Sequence, residues 1–401
     1  MKKQIDLKEY EYELPDDRIA QFPLTDRSSS KLLIYKNGNI SENKFSNVCD
    51  YIANDSFLIF NNTKVINARM FFKKATGAKI EIFCLEPFAM GVEKAFALQN
   101  ECEWNCIVGN ASKWREEVLE KRFTIDGKEH KLSAGKTGIG EDNLIIKFKW
   151  DGGHSFSEVM NATGSTPLPP YIKRKAEESD EEQYQTVFAE VEGSVAAPTA
   201  GLHFTDEILS QLKKRNIDFD FLTLNVGAGT FKPMKTENVY EHRMHKESFS
   251  VTKRFIQNLL NNEVKTRVAV GTTSVRTAES LYWLGILPDK ISKDNFELEQ
   301  WEIYDYMNNE LPGIRTALEN LIEYMDKNNL HTIEGTTSLM IAPGYDFKVT
   351  DIMITNFHLP SSTLLLLVSA YLGKDWKRVY DYALKNEFRF LSYGDSSILI
   401  R

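Results

Sequence analysis

The sequence predicts an α/β fold, with a mixed-sheet α/β main domain carrying an inserted small antiparallel β-barrel domain. Three observations predict it. After Pro167, apolar strand-like runs alternate with capped helical stretches, the order of α/β proteins. Between Met70 and Trp150 that order stops, and short alternating segments follow one another with almost no helical periodicity. The apolar and charged fractions, 42% and 26% of 401 residues, are those of a globular chain long enough for two domains. The expected division is a discontinuous main domain of residues 1–69 and 151–401, with the barrel over residues 70–150.

From the start of the chain, Pro15 to Gln21 reads as a helical turn and Leu32 to Tyr35 as a strand. Phe57 to Phe60 reads as a second strand after a short helix, and the two form the expected edge of the mixed sheet. KIEIFCLE, EWNCIVG, RFTIDGKEHKL and NLIIKFKW supply the barrel strands, with Asp126-Gly127 as a hairpin turn. Thr205 caps a helix from Asp206 to about Lys214, whose two first-turn acids suit the positive end of the helix dipole. The strand FDFLTLNV follows, then an amphipathic stretch from Phe255 to Asn261, the strand RVAV and a helix opening at Thr273 or Ser274. DIMITNF and a helix from about Ser362 to Leu372 repeat the strand, loop and helix order.

The net charge of −8 excludes binding of nucleic acid through bulk electrostatics alone. Local patches remain: Lys173, Arg174 and Lys175 follow the stiff turn PLPPY, and Lys232 and Lys235 flank another proline. Both also suit a solvated charged face. The opening MKKQIDLKEYEYELPDD turns acidic with no apolar run or small-residue cleavage site, so export is not expected. The apolar run Leu364 to Val368 with its flanks is about half of the roughly 20 residues that cross a bilayer; it reads as a core helix, without a membrane anchor. Four cysteines make no disulfide framework in a chain of this length. Cys102 and Cys106 sit in a strand-like segment with no second Cys or His pair nearby, so thiols and no metal are expected.

Three constellations can carry chemistry. In VAVGTTSVRTAES, Gly271, Thr272, Thr273, Ser274 and Arg276 lie between a buried strand and a helix, where amides, hydroxyls and a guanidinium converge on an anion. The same residues also suit a capped helix with a surface arginine. LTLNVGAGTF resembles the glycine-rich first motif of Rossmann-like methyltransferases, but Gly227 and Gly229 are followed by Lys232 and Pro233, poor material for the helix that motif opens. His203, His242, His245 and His358 stand in polar or loop contexts, where a neutral imidazole serves either as a general base or as a local hydrogen-bonding group.

Read together, LPDDRIAQFPLTDRSSSKLL, FNNTKVINARMF, PLPPYIKR, YQTVFAEVEGSVAAPTAGLHFT, VGAGTFKP, EHRMHKE, VGTTSVRTAES, APGYDFKVTDIMITNFHLPSSTLLLLVSA and FRFLSYGD closely resemble the S-adenosylmethionine:tRNA ribosyltransferase-isomerase family of queuosine biosynthesis. They span almost the whole chain. The resemblance implies an α/β domain with an inserted β-barrel, in a cytoplasmic monomer. It implies no permanently bound cofactor, S-adenosylmethionine as co-substrate and the anticodon arm of tRNA as partner. The reaction implied transfers the donor's ribosyl group to the aminomethyl group of 7-aminomethyl-7-deazaguanine at the wobble position. Adenine and methionine leave, and the sugar carbons rearrange into the epoxycyclopentane of epoxyqueuosine.

That chemistry needs proton transfers. The sulfonium acidifies the ribose 5′ carbon, a base forms an ylide, ring opening expels adenine, and the tRNA amine attacks. On the resemblance, His203, His245 and His358 are the expected acid and base groups. Gly271, Thr272, Thr273, Ser274 and Arg276 are expected to hold the methionine carboxylate, and Asn356 the adenine or ribose. Lys173, Arg174 and Lys175 are expected to orient the RNA through its phosphates. The chain departs from the family pattern at Asn225, usually histidine, and at Ser338, usually aspartate. Those departures mark either a divergent branch with the same activity or a paralogue with an altered nucleobase or tRNA substrate; the alternative functions are a methyltransferase, on the glycine-rich motif, and a catalytically inactive tRNA-binding paralogue.

Overall fold

The computed structural model describes residues 5–74, 76–115, 118–140, 143–227, 234, 236, 238–292, 296–307 and 309–401. Gly229, Lys232, Pro233 and Lys235 lie outside the described residues.

The main sheet has ten strands in the order Glu297–Leu298, Thr332–Thr337, Glu247–Thr252, Asp218–Leu224, Ser56–Asn61, Thr266–Val270, Ile352–Asn356, Ser396–Ile400, Lys31–Lys36 and Asn39–Lys44. Four adjacent strands at its centre, from Asp218–Leu224 to Ile352–Asn356, run parallel. Both faces of this centre are covered. Phe57 and Ile59 point into one core with Leu222 and Val275, while Leu58 and Phe60 point into the other with Phe204 and Ile208. A strand buried on both faces reads as a continuous apolar run, as SFLIF does. It therefore belongs in the middle of the sheet and not at the edge expected for it. The true edge beside Lys31–Lys36 is Asn39–Lys44, a polar hairpin partner.

The helices start where their capping residues dictate. Thr205 accepts from the Ile208 amide at the head of Asp206–Lys214, and Ser362 caps Thr363–Leu372 through the Leu365 amide. Thr363–Leu372 is packed in the main core, as its apolar run requires. Among the described residues no helix is long and apolar enough to cross a membrane.

The second sheet is antiparallel, with seven strands in the order Gly164–Ser165, Arg69–Lys73, Lys79–Pro87, Glu101–Gly109, Leu144–Trp150, Lys128–Ile139 and Leu119–Ile125. It curls into a half-barrel. Helix Phe156–Thr163, started by a Ser155–Glu158 capping box, packs against both Arg69–Lys73 and Leu119–Ile125 and occupies the seam between them. Phe156, Val159 and Met160 complete the apolar interior with Trp104 and Phe148. The four cysteines are buried thiols, with Cys84 and Cys106 Sγ atoms 3.8 Å apart in that interior. Burial pushes the Cys102 thiol up.

Candidate active site

A cleft opens outside the carboxyl ends of the parallel strands, where α/β sheets bind ligands. Three of the four parallel strand ends deliver part of its wall. Thr266–Val270 ends in Gly271, Thr272 and Thr273; Ile352–Asn356 ends in Asn356 and His358; the turn after Asp218–Leu224 adds Val226. Pro198 to Ala200, Tyr171 and the segment Leu391–Ser392 close the remaining sides.

Gly271 turns the chain from strand to helix at φ +89° and ψ 148°, a combination essentially reserved for glycine. The helix it opens, Thr272–Ile286, has no side-chain N-cap, so its first amides and the positive end of its dipole face the cleft. Thr273 Oγ1 is buried at the same place and has no hydrogen-bond partner in the protein. A carboxylate seated there would satisfy both.

At the end of the neighbouring strand, Asn356 is held on every side. Its Oδ1 accepts from Thr199 Oγ1 at 2.9 Å, and its Nδ2 donates to the Asp395 carbonyl at 3.3 Å and to His203 Nε2 at 3.2 Å. A carbonyl can only accept, so the amide orientation is settled and His203 Nε2 carries a lone pair. Its Nδ1–H then donates to Ser30 Oγ at 2.8 Å. Burial lowers His203 to about 4, so it is neutral at pH 7. His358 lies in the wall itself. Its Nε2 is 3.0 Å from Thr355 Oγ1, its amide donates to Tyr380 Oη, and its carbonyl accepts from Tyr12 Oη. Burial lowers it to about 3.

The structure therefore brings Gly271, Thr272, Thr273, Asn356 and His358 to one cleft and stations His203 directly behind Asn356. Other expected residues are elsewhere. Arg276 is 4% exposed and bound in a buried ion pair with Glu247, because one helical turn carries it from the cleft into the helix–sheet interface. Ser274 faces back toward its own strand and donates to the Val270 carbonyl at 2.7 Å. His245 is exposed on the loop before Glu247–Thr252, a loop anchored by Gln300 through the Met244 amide and the His242 carbonyl. Lys175 is exposed and Lys173 pairs loosely with Asp16, but Arg174 is only 14% exposed and grips the buried Asp180 with both terminal nitrogens.

Both departures from the family pattern fall outside the cleft wall. Asn225 accepts from Thr63 Oγ1 at 2.8 Å and packs against Gly193, while its neighbour Val226 is the one that faces the cleft. Ser338 is tied to the Leu298 carbonyl. Thr199, Tyr171 and Ser392 were not singled out by sequence reasoning. The first two sit within AAPTAGLHFT and PLPPYIKR, and only the chain's path puts their hydroxyls beside Asn356 and the cleft.

The model of the queuosine biosynthesis protein family matches residues 7–399. The chain belongs to that family. A queuosine-family relative from Halothermothrix orenii is 37% identical over 401 residues, covering 98% of this chain and 99% of the relative. Another, from Thermotoga petrophila, is 38% identical over 400 residues with the same coverage. Both are named S-adenosylmethionine:tRNA ribosyltransferase-isomerase. Among solved structures, a crystal structure of S-adenosylmethionine tRNA ribosyltransferase from Thermotoga maritima is 27% identical, with a TM-score of 0.46 over 98% of this chain and 100% of that one.

Proposed function

We propose that this queuosine-family chain is an enzyme that transfers and isomerises the ribosyl group of S-adenosylmethionine onto 7-aminomethyl-7-deazaguanine at the wobble position of tRNA. Adenine and methionine are released and epoxyqueuosine is formed. The observation that carries the reading is the cleft. A bare helix N-terminus with an orphaned threonine hydroxyl lies in its wall together with His358 and a fixed Asn356, which the neutral His203 backs.

Gly271, Thr272 and Thr273 take the methionine carboxylate at the start of Thr272–Ile286. Asn356 has spent both N–H groups and one Oδ1 lone pair, leaving one lone pair to accept from a ribose hydroxyl or the adenine amine. His358 is the acid–base group: its Nε2 pairs with Thr355 Oγ1, and in the tautomer whose Nε2–H donates there, Nδ1 keeps a lone pair for the ribose 5′ proton. His203 acts through Asn356 as a positioning residue, and His245 takes no part. Ser274 and Arg276 support the helix from behind.

The chemistry is assigned to the domain of residues 1–69 and 151–401. Residues 70–150 form an inserted domain whose core also takes up Phe156, Val159 and Met160. The partner is the anticodon arm of tRNA, positioned by Lys173 and Lys175, and the enzyme works as a cytoplasmic monomer. Incubation with S-adenosylmethionine and tRNA carrying the aminomethyl base should release adenine and give the nucleoside the mass of epoxyqueuosine. A gain of one methyl group, or no consumption of the donor, would refute the proposal.

A further inference from the structure

Phe22 is a large apolar side chain left 51% exposed, and it is not isolated. The Arg174 guanidinium lies 4.1 Å from its ring centroid. That guanidinium cannot drift. Nη1 and Nη2 bind Asp180 at 2.6 and 2.7 Å, Nε donates to the Gln21 carbonyl at 2.9 Å, and Asp180 is fully buried with a further bond from Tyr393 Oη. The outcome is a rigid plane under one side of an aromatic ring whose remaining surface meets water.

The same segment is locked to the cleft. Gln21 Nε2 donates to the Tyr171 carbonyl and its Oε1 accepts from the Lys173 amide, so the segment bearing Phe22 is tied to the 171–174 turn. Tyr171 lines the cleft and exchanges a 2.7 Å hydrogen bond with Ser392, which lines it too. Beside the ring, Lys173 makes a surface pair with Asp16 whose members are 66% and 78% exposed, and Lys175, two residues further on, is exposed. Such a pair is readily exchanged for a phosphate.

We propose that Phe22, backed by Arg174, is a stacking platform for an unpaired nucleobase of the RNA loop adjacent to the base that enters the cleft. This deepens the proposed function and rests on it. Every base has a π-face, so an aromatic ring beside exposed lysines suits single-stranded RNA without reading its sequence. The ring fixes the neighbouring base, the lysines hold the backbone, and the intervening geometry aims the modified nucleotide at His358 and Thr273.

The test uses an anticodon stem-loop RNA with 2-aminopurine placed 5′ or 3′ of the wobble base, titrated with the full-length protein. With parent protein, one of the two probes should be quenched on binding. Phe22→Leu, which keeps bulk but removes the ring, and Phe22→Ala should each bind about tenfold more weakly and leave that probe brighter at saturation. Equal affinity and equal quenching in parent and variants would overturn the platform while leaving the proposed function standing. A parent protein that bound no RNA would overturn both. Unfolding midpoints near the parent value, expected for a half-exposed side chain, show that the variants are folded.

Discussion

Asn356 Nδ2 stands 3.2 Å from His203 Nε2, and that contact joins the end of a central strand to a turn 153 residues earlier. The asparagine is in the cleft wall and the histidine is not, so the imidazole meets the wall through that amide.

Acid should unfold this protein through its two buried histidines. Burial lowers His203 to about 4 and His358 to about 3, below the roughly 6.5 of an unfolded chain. From about pH 6.5 down to those values the unfolded state binds more protons, so stability present at neutral pH is lost as pH falls. Each histidine contributes up to about 1.4 kcal/mol per pH unit in that window. Urea titrations from pH 8 to 4.5 should show this slope, and His358→Asn should remove part of it. An unchanged slope in that variant would contradict the assignment.

Asn356→Asp should invert the local logic. A carboxylate beside Nε2 raises the histidine, which then pairs as imidazolium. That contribution is complete below about pH 6.5 and is lost as pH rises through the variant's own folded value. The variant should therefore trail the parent by about 3 kcal/mol at pH 8.5, where the carboxylate is buried unpaired, and by much less at pH 5.5. A deficit independent of pH would show that the histidine does not face residue 356.

Strand, loop and helix around residues 266–286 and 352–372 were legible because each couples an apolar run to a glycine or serine that starts the helix. What failed to show was pairing across the chain. Nothing near Arg276 announces Glu247, 29 residues earlier, so a buried ion pair read as a free anion clamp. Arg174 misled in the same way, since its partner Asp180 sits in an acidic stretch that reads as surface. The hairpin strand NISENK has no apolar alternation because one edge of the sheet meets water. His203 sits in the same polar context as His358, and only the fold separates the residue in the wall from the one behind it.

Thr273→Val offers a clean separation of binding from folding. The hydroxyl has no partner in the protein, so an isosteric methyl costs nothing in the folded chain and should leave the unfolding midpoint unchanged or raise it. If the donor's carboxylate accepts from that hydroxyl, the Michaelis constant for S-adenosylmethionine should rise about tenfold, equivalent to about 1.4 kcal/mol. An unaltered constant would remove Thr273 from the donor site.

Gly271→Ala tests the turn itself. An added Cβ meets no atom closer than 3.5 Å, so the penalty is the backbone conformation and not a clash. It should be on the order of 1–3 kcal/mol in stability. Relaxation of φ would also tilt the first amides of Thr272–Ile286 away from the cleft, weakening donor binding beyond the loss in stability. A stable variant with normal donor affinity would mean that the helix start does not depend on this glycine.

The Arg276–Glu247 pair makes the opposite case, a residue important for the site without touching it. Both side chains are almost fully buried, so Arg276→Met strips the ion-pair partner from a carboxylate that water cannot reach, at a cost of about 3–5 kcal/mol. Arg276→Met with Glu247→Leu removes both charges and should recover much of that loss, because desolvation of the pair offsets much of its attraction. A guanidinium that bound the donor's carboxylate directly would behave differently, since the double variant would regain stability yet keep a donor affinity lowered by tenfold or more. Chemical denaturation and donor titration on the two variants decide between these. The burial of the pair predicts that stability and donor affinity return together.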